Sequence, residues 1–364
     1  MTVAGSSTPK PLAGRARERA RLREQWRLAR AGQGSLVLVG GEAGIGKTAL
    51  AESLLADVAV DATVLIGRCY DLTETPPYGP WREAFATLSC LADAPPLPQA
   101  VAAAGEGIAV AGQEALFAQV RAALAAHAAV RPLAILLDDL HWADAASLEL
   151  LRALGRQLAT LPILLIATYR DELTRHQPLF QQLPVLGRET GAPHLVLRRL
   201  TQAALQDLIG HYTLAADDAT RLIAWLLERA EGNAFFTTQL LRMLEEDAVL
   251  RPSPAGWVVG DLAAAGLPAP LRQLLDARLA RLGARHRNLL TLAAVIGQEI
   301  PLAVWMAVAE MGEADLLDTC PGSYFIRLRP FVRDLRFRPP VARRELRPGG
   351  ASASLTEWRE AYGA

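Results

Sequence analysis

The stretch at residues 35–48, SLVLVGGEAGIGKT, constrains this chain more than any other. Leu36, Val37, Leu38 and Val39 form a continuous apolar run, the pattern of a strand buried on both faces of a parallel sheet. Gly41-Glu42-Ala43-Gly44-Ile45-Gly46-Lys47-Thr48 follows and fits G-x-x-x-x-G-K-[ST] at every fixed position. Glycines let the backbone turn tightly and bring N–H groups close to phosphate oxygens. Lys47 can reach the β- and γ-phosphates, and the Thr48 hydroxyl can ligate Mg²⁺. From Thr48 and Ala49 onward the chain reads as a helix whose positive end faces those phosphates. A strand before the loop and a helix after it distinguish this from a chance glycine-rich turn.

The second chemical signal is Pro132-Leu-Ala-Ile-Leu-Leu-Asp138-Asp139. An apolar strand ending in acids is weak evidence alone, but about ninety residues after a complete P-loop it has the form of a Walker B strand. Its carboxylate end lies where ligands bind in open α/β sheets. Asp138 is the candidate Mg²⁺ ligand, through water, and Asp139 the candidate for polarising an attacking water. Asp144 reads as a helix N-cap, and His141 as a packed or exposed loop histidine rather than a phosphate sensor. A third apolar strand, residues 162–168, ends in Thr168-Tyr-Arg170-Asp171. Thr168 and Arg170 are candidates to touch the γ-phosphate or the attacking water, and a surface salt bridge is the alternative for Arg170.

Around these signals the chain alternates strand and helix, which implies βαβ units and a parallel sheet. Residues 63–66 and 194–197 read as further strands. Residues 81–91, 114–128 and 145–158 read as helices, and 94–112 as a surface loop rich in Ala, Pro and Gly. An Arg-rich helix through residue 31, with Leu22, Trp26 and Leu28 as its apolar positions, precedes the first strand. The segment holding Arg15 has two readings, packing on the sheet edge or lying against an adenine, and the residues alone do not choose between them.

From residue 201 the pattern turns helical, over 201–212, 216–230 and 235–246. Gly232 closes one of these helices and Asn233 caps the next. Residues 250–259 suggest a short hairpin, and 269–282, 285–296 and 301–310 three more helices. The formal net charge is zero, so no global field draws the chain to nucleic acid or membrane. Cys69, Cys90 and Cys320 lack metal spacing and fit reduced thiols. No apolar run approaches the roughly 20 residues of a membrane span, and the N-terminus lacks a signal-peptide core. The expectation is a soluble cytoplasmic protein.

Taken together, these landmarks resemble the nucleotide-binding module of STAND-type signal-transduction ATPases in the AAA+ lineage. More narrowly, they resemble the ATPase module of large LuxR-type transcriptional regulators and adenylate-cyclase-associated proteins, with a distant similarity to origin-recognition-complex-like ATPases. The matching residues are Leu12-Ala-Gly-Arg-Ala-Arg-Glu18, the P-loop, Leu136-Leu-Asp-Asp-Leu-His-Trp-Ala-Asp144, Ala167-Thr-Tyr-Arg-Asp-Glu-Leu173 and Arg229-Ala-Glu-Gly-Asn-Ala-Phe-Phe236, with residues 267–282 and 290–297.

The resemblance implies an α/β P-loop NTPase core over 12–200, an all-α lid over 201–248 and a partial winged-helix-like domain over 249–318. A disordered lead, 1–11, precedes them and an Arg/Pro-rich tail, 319–364, follows. It implies ATP or ADP with Mg²⁺ as ligands, slow hydrolysis, and a switch that ADP closes and ATP opens for self-association or assembly with related regulators. In this lineage a winged-helix-like segment is more often a packing domain, and its modest charge here argues against direct DNA reading; the lack of an apolar span argues against a membrane partner.

Two departures stand out. Ala234 occupies the place of the family's lid proline. The tail, with arginines from Arg327 to Arg347 among prolines and glycines, breaks the family pattern and reads as a truncated or frameshifted end, with a basic tail that touches nucleic acid or an acidic partner as the alternative. The alternative function is a non-catalytic scaffold fragment.

Overall fold

The computed structural model of the chain describes residues 13–71, 77–89, 113–171, 177–254, 256–263, 265, 284–296, 302–312 and 315. Five strands build the main sheet: β1 (Ser35–Gly40), β2 (Thr63–Arg68), β3 (Leu133–Asp138), β4 (Ile163–Thr168) and β5 (His194–Val196). All pairings are parallel, in the order β2-β3-β4-β1-β5. The register sets Val39 beside Thr168 and Arg68 beside Asp138. β4 thus lies between β1 and β3, and its last residue stands between the P-loop and the acid pair.

Alternation along each strand divides the core in two. Leu36 and Leu38 of β1, Ile135 and Leu137 of β3, and Leu165 of β4 enter one cluster, which also takes in Trp81, Phe85, Val120, Leu124 and Leu151. Those last residues come from α3 (Gly79–Ser89), α4 (Gln113–Val130) and α5 (Ala145–Gly155). Val37 and Val39 of β1, Leu136 of β3 and Ile166 of β4 enter the other cluster. There they meet Leu22 and Trp26 of α1 (Ala16–Arg30) and Leu50 and Leu54 of α2 (Lys47–Val58). Each such fully buried Leu or Ile is worth about 1.5–3 kcal/mol relative to exposure. The result is a parallel sheet sandwiched by helices, the P-loop NTPase architecture expected from the sequence.

Local chemistry accounts for the element ends. Asp144 caps α5 by accepting from Ser147 N at 2.8 Å, as the sequence suggested. α5 stops at Gly155 and a 3₁₀ turn, Leu158–Thr160, follows, so the helix is shorter than expected. α3 begins at Gly79 rather than residue 81, because Pro80 fits a first helical turn. α6 (Pro178–Thr190) was not foreseen: it carries Pro184 inside and ends at Gly191, φ 62°. The expected loop at 94–112, the helix at 269–282, the lead and the tail lie outside the described residues.

A first unit runs to His211, includes α7 (Gln202–Ile209), and takes in Asn233–Phe235 as well. The second comprises Tyr212–Gly232 and the chain from Phe236 onward. It contains α8 (Ala216–Ala230), nearly all of α9 (Ala234–Glu246), and the antiparallel hairpin β6 (Leu250–Ser253) and β7 (Gly256–Val259). Tyr212 donates to Glu245 and meets the Trp257 ring edge-on at 5.0 Å. α10 (Ala284–Ile296) and α11 (Leu302–Ala309) follow, joined by Trp305 Nε1 donating to Leu289 O at 3.3 Å. Among the described residues, no helix is long and apolar enough to cross a membrane.

Candidate functional site

β1 delivers the chain into the P-loop, where Gly41, Gly44 and Gly46 all take positive φ, at 146°, 75° and 101°. At Gly44 a side chain is excluded twice, by that backbone and by Asn233 Oδ1 and Phe235 Cβ, each 3.0 Å from where a Cβ would stand. Ile45 is fully buried and anchors the loop in the cluster under β1. Gly44 and Ala49 are exposed. Gly46 caps α2, and its carbonyl accepts from Leu50 N at 3.0 Å.

Every carbonyl from Gly41 to Ile45 is engaged. Lys47 Nζ donates to Gly41 O at 2.9 Å and to Glu42 O at 2.8 Å. Asn233 Nδ2 donates to Ala43 O at 2.9 Å. The Phe235 amide donates to Gly44 O at 2.9 Å, and Arg15 Nη2 to Ile45 O at 3.0 Å. The Glu42 side chain turns away from the loop into an ion pair with Arg199 at 3.0 Å.

At the end of β3, Asp138 accepts from the Thr48 hydroxyl at 3.0 Å on each oxygen and from the Thr168 hydroxyl at 2.5 Å. Thr168 Oγ1 also accepts from Asp139 N at 2.9 Å. Thr168 is fully buried and its hydroxyl links the two acids. Its one proton is held by Asp138.

Asp139 adopts φ 57°, a left-handed backbone uncommon outside glycine. Burial and then Asp138 push its carboxyl pKa up, against Arg170 and Lys47. Burial pulls the Lys47 ammonium pKa down, opposed first by Asp139. Arg170 adds to that lowering, so its charge acts on both groups at the site. His141 is buried, packs on the Trp142 ring at 5.1 Å, and lies with Nδ1 3.7 Å from Asp139 Oδ1.

Arg15 is 4% exposed, and burial lowers its guanidinium pKa, countered by Glu18. It reaches the P-loop backbone, which neither sequence reading of its segment foresaw. The sequence marked Asn233 as a helix cap, and its Oδ1 does accept from Phe235 N at 3.1 Å. Its second contact, to Ala43 across 190 residues, has no local signal in the chain.

The donor set fits the ligands that the motif implies. A hydroxyl beside a buried carboxylate suits a hard divalent cation. A buried ammonium at the start of α2 suits a phosphate. Cys69 is a free buried thiol beside the acid pair: its backbone N donates to Asp138 O at 3.0 Å, and burial, then the neighbouring acids, raise the thiol pKa.

The family model of the AAA ATPase domain matches residues 11–166 of the 364. No curated protein matches the chain. Similar solved structures include the ORC1 protein of Aeropyrum pernix in complex with DNA, at 19% identity and TM-score 0.48, covering 88% of this chain and 84% of that one. Another is Cdc6p of Pyrobaculum aerophilum, at 17% identity and TM-score 0.48, covering 90% and 88%. A third is a signal transduction ATPase with numerous domains from Pyrococcus horikoshii, with a tetratricopeptide repeat sensor. It stands at 14% identity and TM-score 0.37, and the match covers 85% of this chain and 38% of that one.

Proposed function

We propose that this chain binds ATP and ADP with Mg²⁺ and acts as a nucleotide-dependent conformational switch with slow hydrolysis, in signalling or transcriptional regulation in the cytoplasm. The observation that carries the reading is the joining of two sequence signals ninety positions apart: the Thr48 hydroxyl lies 3.0 Å from both oxygens of Asp138. In this reading residues 12–200 are the catalytic core, 201–248 the lid and 249–318 a partial winged-helix-like domain.

The residues take distinct roles. The amides of residues 42–48 and the start of α2 hold phosphate oxygens, and Lys47 supplies positive charge beside them. Thr48 and Asp138 hold Mg²⁺, which when bound neutralises charge on the phosphates. Asp139, with its raised proton affinity, takes a proton from water. It is one methylene shorter than glutamate, which favours slow turnover. Arg170 is the γ-phosphate sensor, and Thr168 holds the two acids. The switch works through self-association or assembly with related regulators, without direct DNA reading by this chain.

Titration calorimetry with MgADP and MgATP tests the reading. The wild type takes up one nucleotide per chain, and Lys47→Ala loses tight binding. Equal affinity in both proteins would overturn the assignment of the P-loop as the binding site.

A further inference from the structure

Three consecutive P-loop carbonyls are held by donors from outside the loop. Asn233 Nδ2 takes Ala43 O, the Phe235 amide takes Gly44 O, and Arg15 Nη2 takes Ile45 O, at 2.9, 2.9 and 3.0 Å. In a trans peptide the C=O and the following N–H point in opposite directions. Holding the carbonyls of residues 43 and 45 therefore turns the amides of residues 44 and 46 away from those donors, while the Ile45 amide donates within the loop to Glu42 O at 3.4 Å. Those are amides that a phosphate-cradling P-loop must present. Glycines at 44 and 46 leave these planes free to rotate without an external hold.

We propose that Arg15 and Asn233 are positioning residues for the phosphate cradle: by engaging the carbonyls of Ile45 and Ala43 from outside the loop, they set which way its amides face. This rests on the nucleotide-binding reading above.

Both side chains are nearly buried, Arg15 at 4% and Asn233 at 6% exposure. Each is delivered by a local device. Gly14, at φ 69°, passes so close to α7 that a Cβ there would stand 2.2 Å from Ala204 Cβ, and this brings Arg15 in. Asn233 is held by its own Oδ1, which accepts from Phe235 N, so its Nδ2 is aimed at Ala43. Both side chains donate to backbone carbonyls of the loop, so their effect passes through its peptide planes.

The test uses the full chain with two single substitutions. Asn233→Asp keeps the shape and the Oδ1 acceptor but removes the donor to Ala43. Arg15→Lys keeps the charge but loses the planar fork. Two readouts are taken. In nucleotide-free protein labelled with ¹⁵N-glycine, Asn233→Asp shifts the Gly44 amide and Arg15→Lys shifts the Gly46 amide, because each amide shares a peptide plane with the altered carbonyl. In calorimetry each substitution weakens MgADP binding by about tenfold, the equivalent of one lost hydrogen bond to a buried group. The β-phosphate ³¹P signal of bound ADP moves with it.

Unmoved glycine amides, with MgADP affinity within about twofold of wild type in either folded variant, would overturn the proposal. The two variants act from separate elements, so one that fails to fold leaves the other as the test. A wild type that binds no MgADP would overturn the nucleotide reading itself. Wild-type binding with unchanged variants would overturn only the positioning role.

Discussion

Asp139 combines two unfavourable conditions, a left-handed backbone at φ 57° and a partly buried carboxyl beside Asp138. Asparagine tolerates the same backbone and carries no charge. A carboxyl whose native pKa lies above its ordinary 3.8 costs stability once both states are ionised. Asp139→Asn is therefore more stable than wild type at neutral pH. The gain shrinks as pH falls through the raised native pKa and is gone below 3.8. Denaturant unfolding across that range checks it, and a gain that persists in acid would show that charge burial is not its source.

Thr168 is the complementary case. Thr168→Val keeps the volume but leaves Asp138 short of one donor and Asp139 N without its acceptor. The expected cost is about 1–3 kcal/mol in urea unfolding.

At the scale of elements, the sequence was most legible where one local signal decides. The apolar run before Gly41 gave β1, and the run before Asp138 gave β3. Asp144 gave the start of α5 and the Gly-Asn pair at 232–233 the start of α9. α6 was missed because Pro184 and Gly187 break the pattern of a helix that packing of Leu179 and Leu186 then maintains. The partners of Arg15 and Thr168 were also illegible. Arg15 was readable as a polar residue near a P-loop, but its target depends on how α1 enters the sheet. The direction of Thr168 depends on β4 lying between β1 and β3.

Gly14 shows how an element junction serves the site. Gly14→Ala meets both φ 69° and the 2.2 Å approach to Ala204, at a cost of more than about 1 kcal/mol. Adding Ala204→Gly relieves the clash but not the backbone strain, so the double variant recovers part of the loss. Thermal unfolding of the two proteins side by side measures the two contributions.

Across the main sheet, the strand order brings the P-loop, the acid pair and Thr168 together at the C-terminal ends of the three central strands. Polar groups there are held by neighbours from distant parts of the chain: Arg15 precedes the main sheet, Thr168 ends β4, and Asn233 comes after β5, the last strand of the main sheet. A phosphate cradle assembled in this way is the central claim. The most direct measurement is to purify the protein, denature it and identify the nucleotide released, beside Lys47→Ala. The account predicts ADP in near-stoichiometric amount from the wild type and none from the variant. No nucleotide from either, with none taken up on adding MgATP, would contradict it.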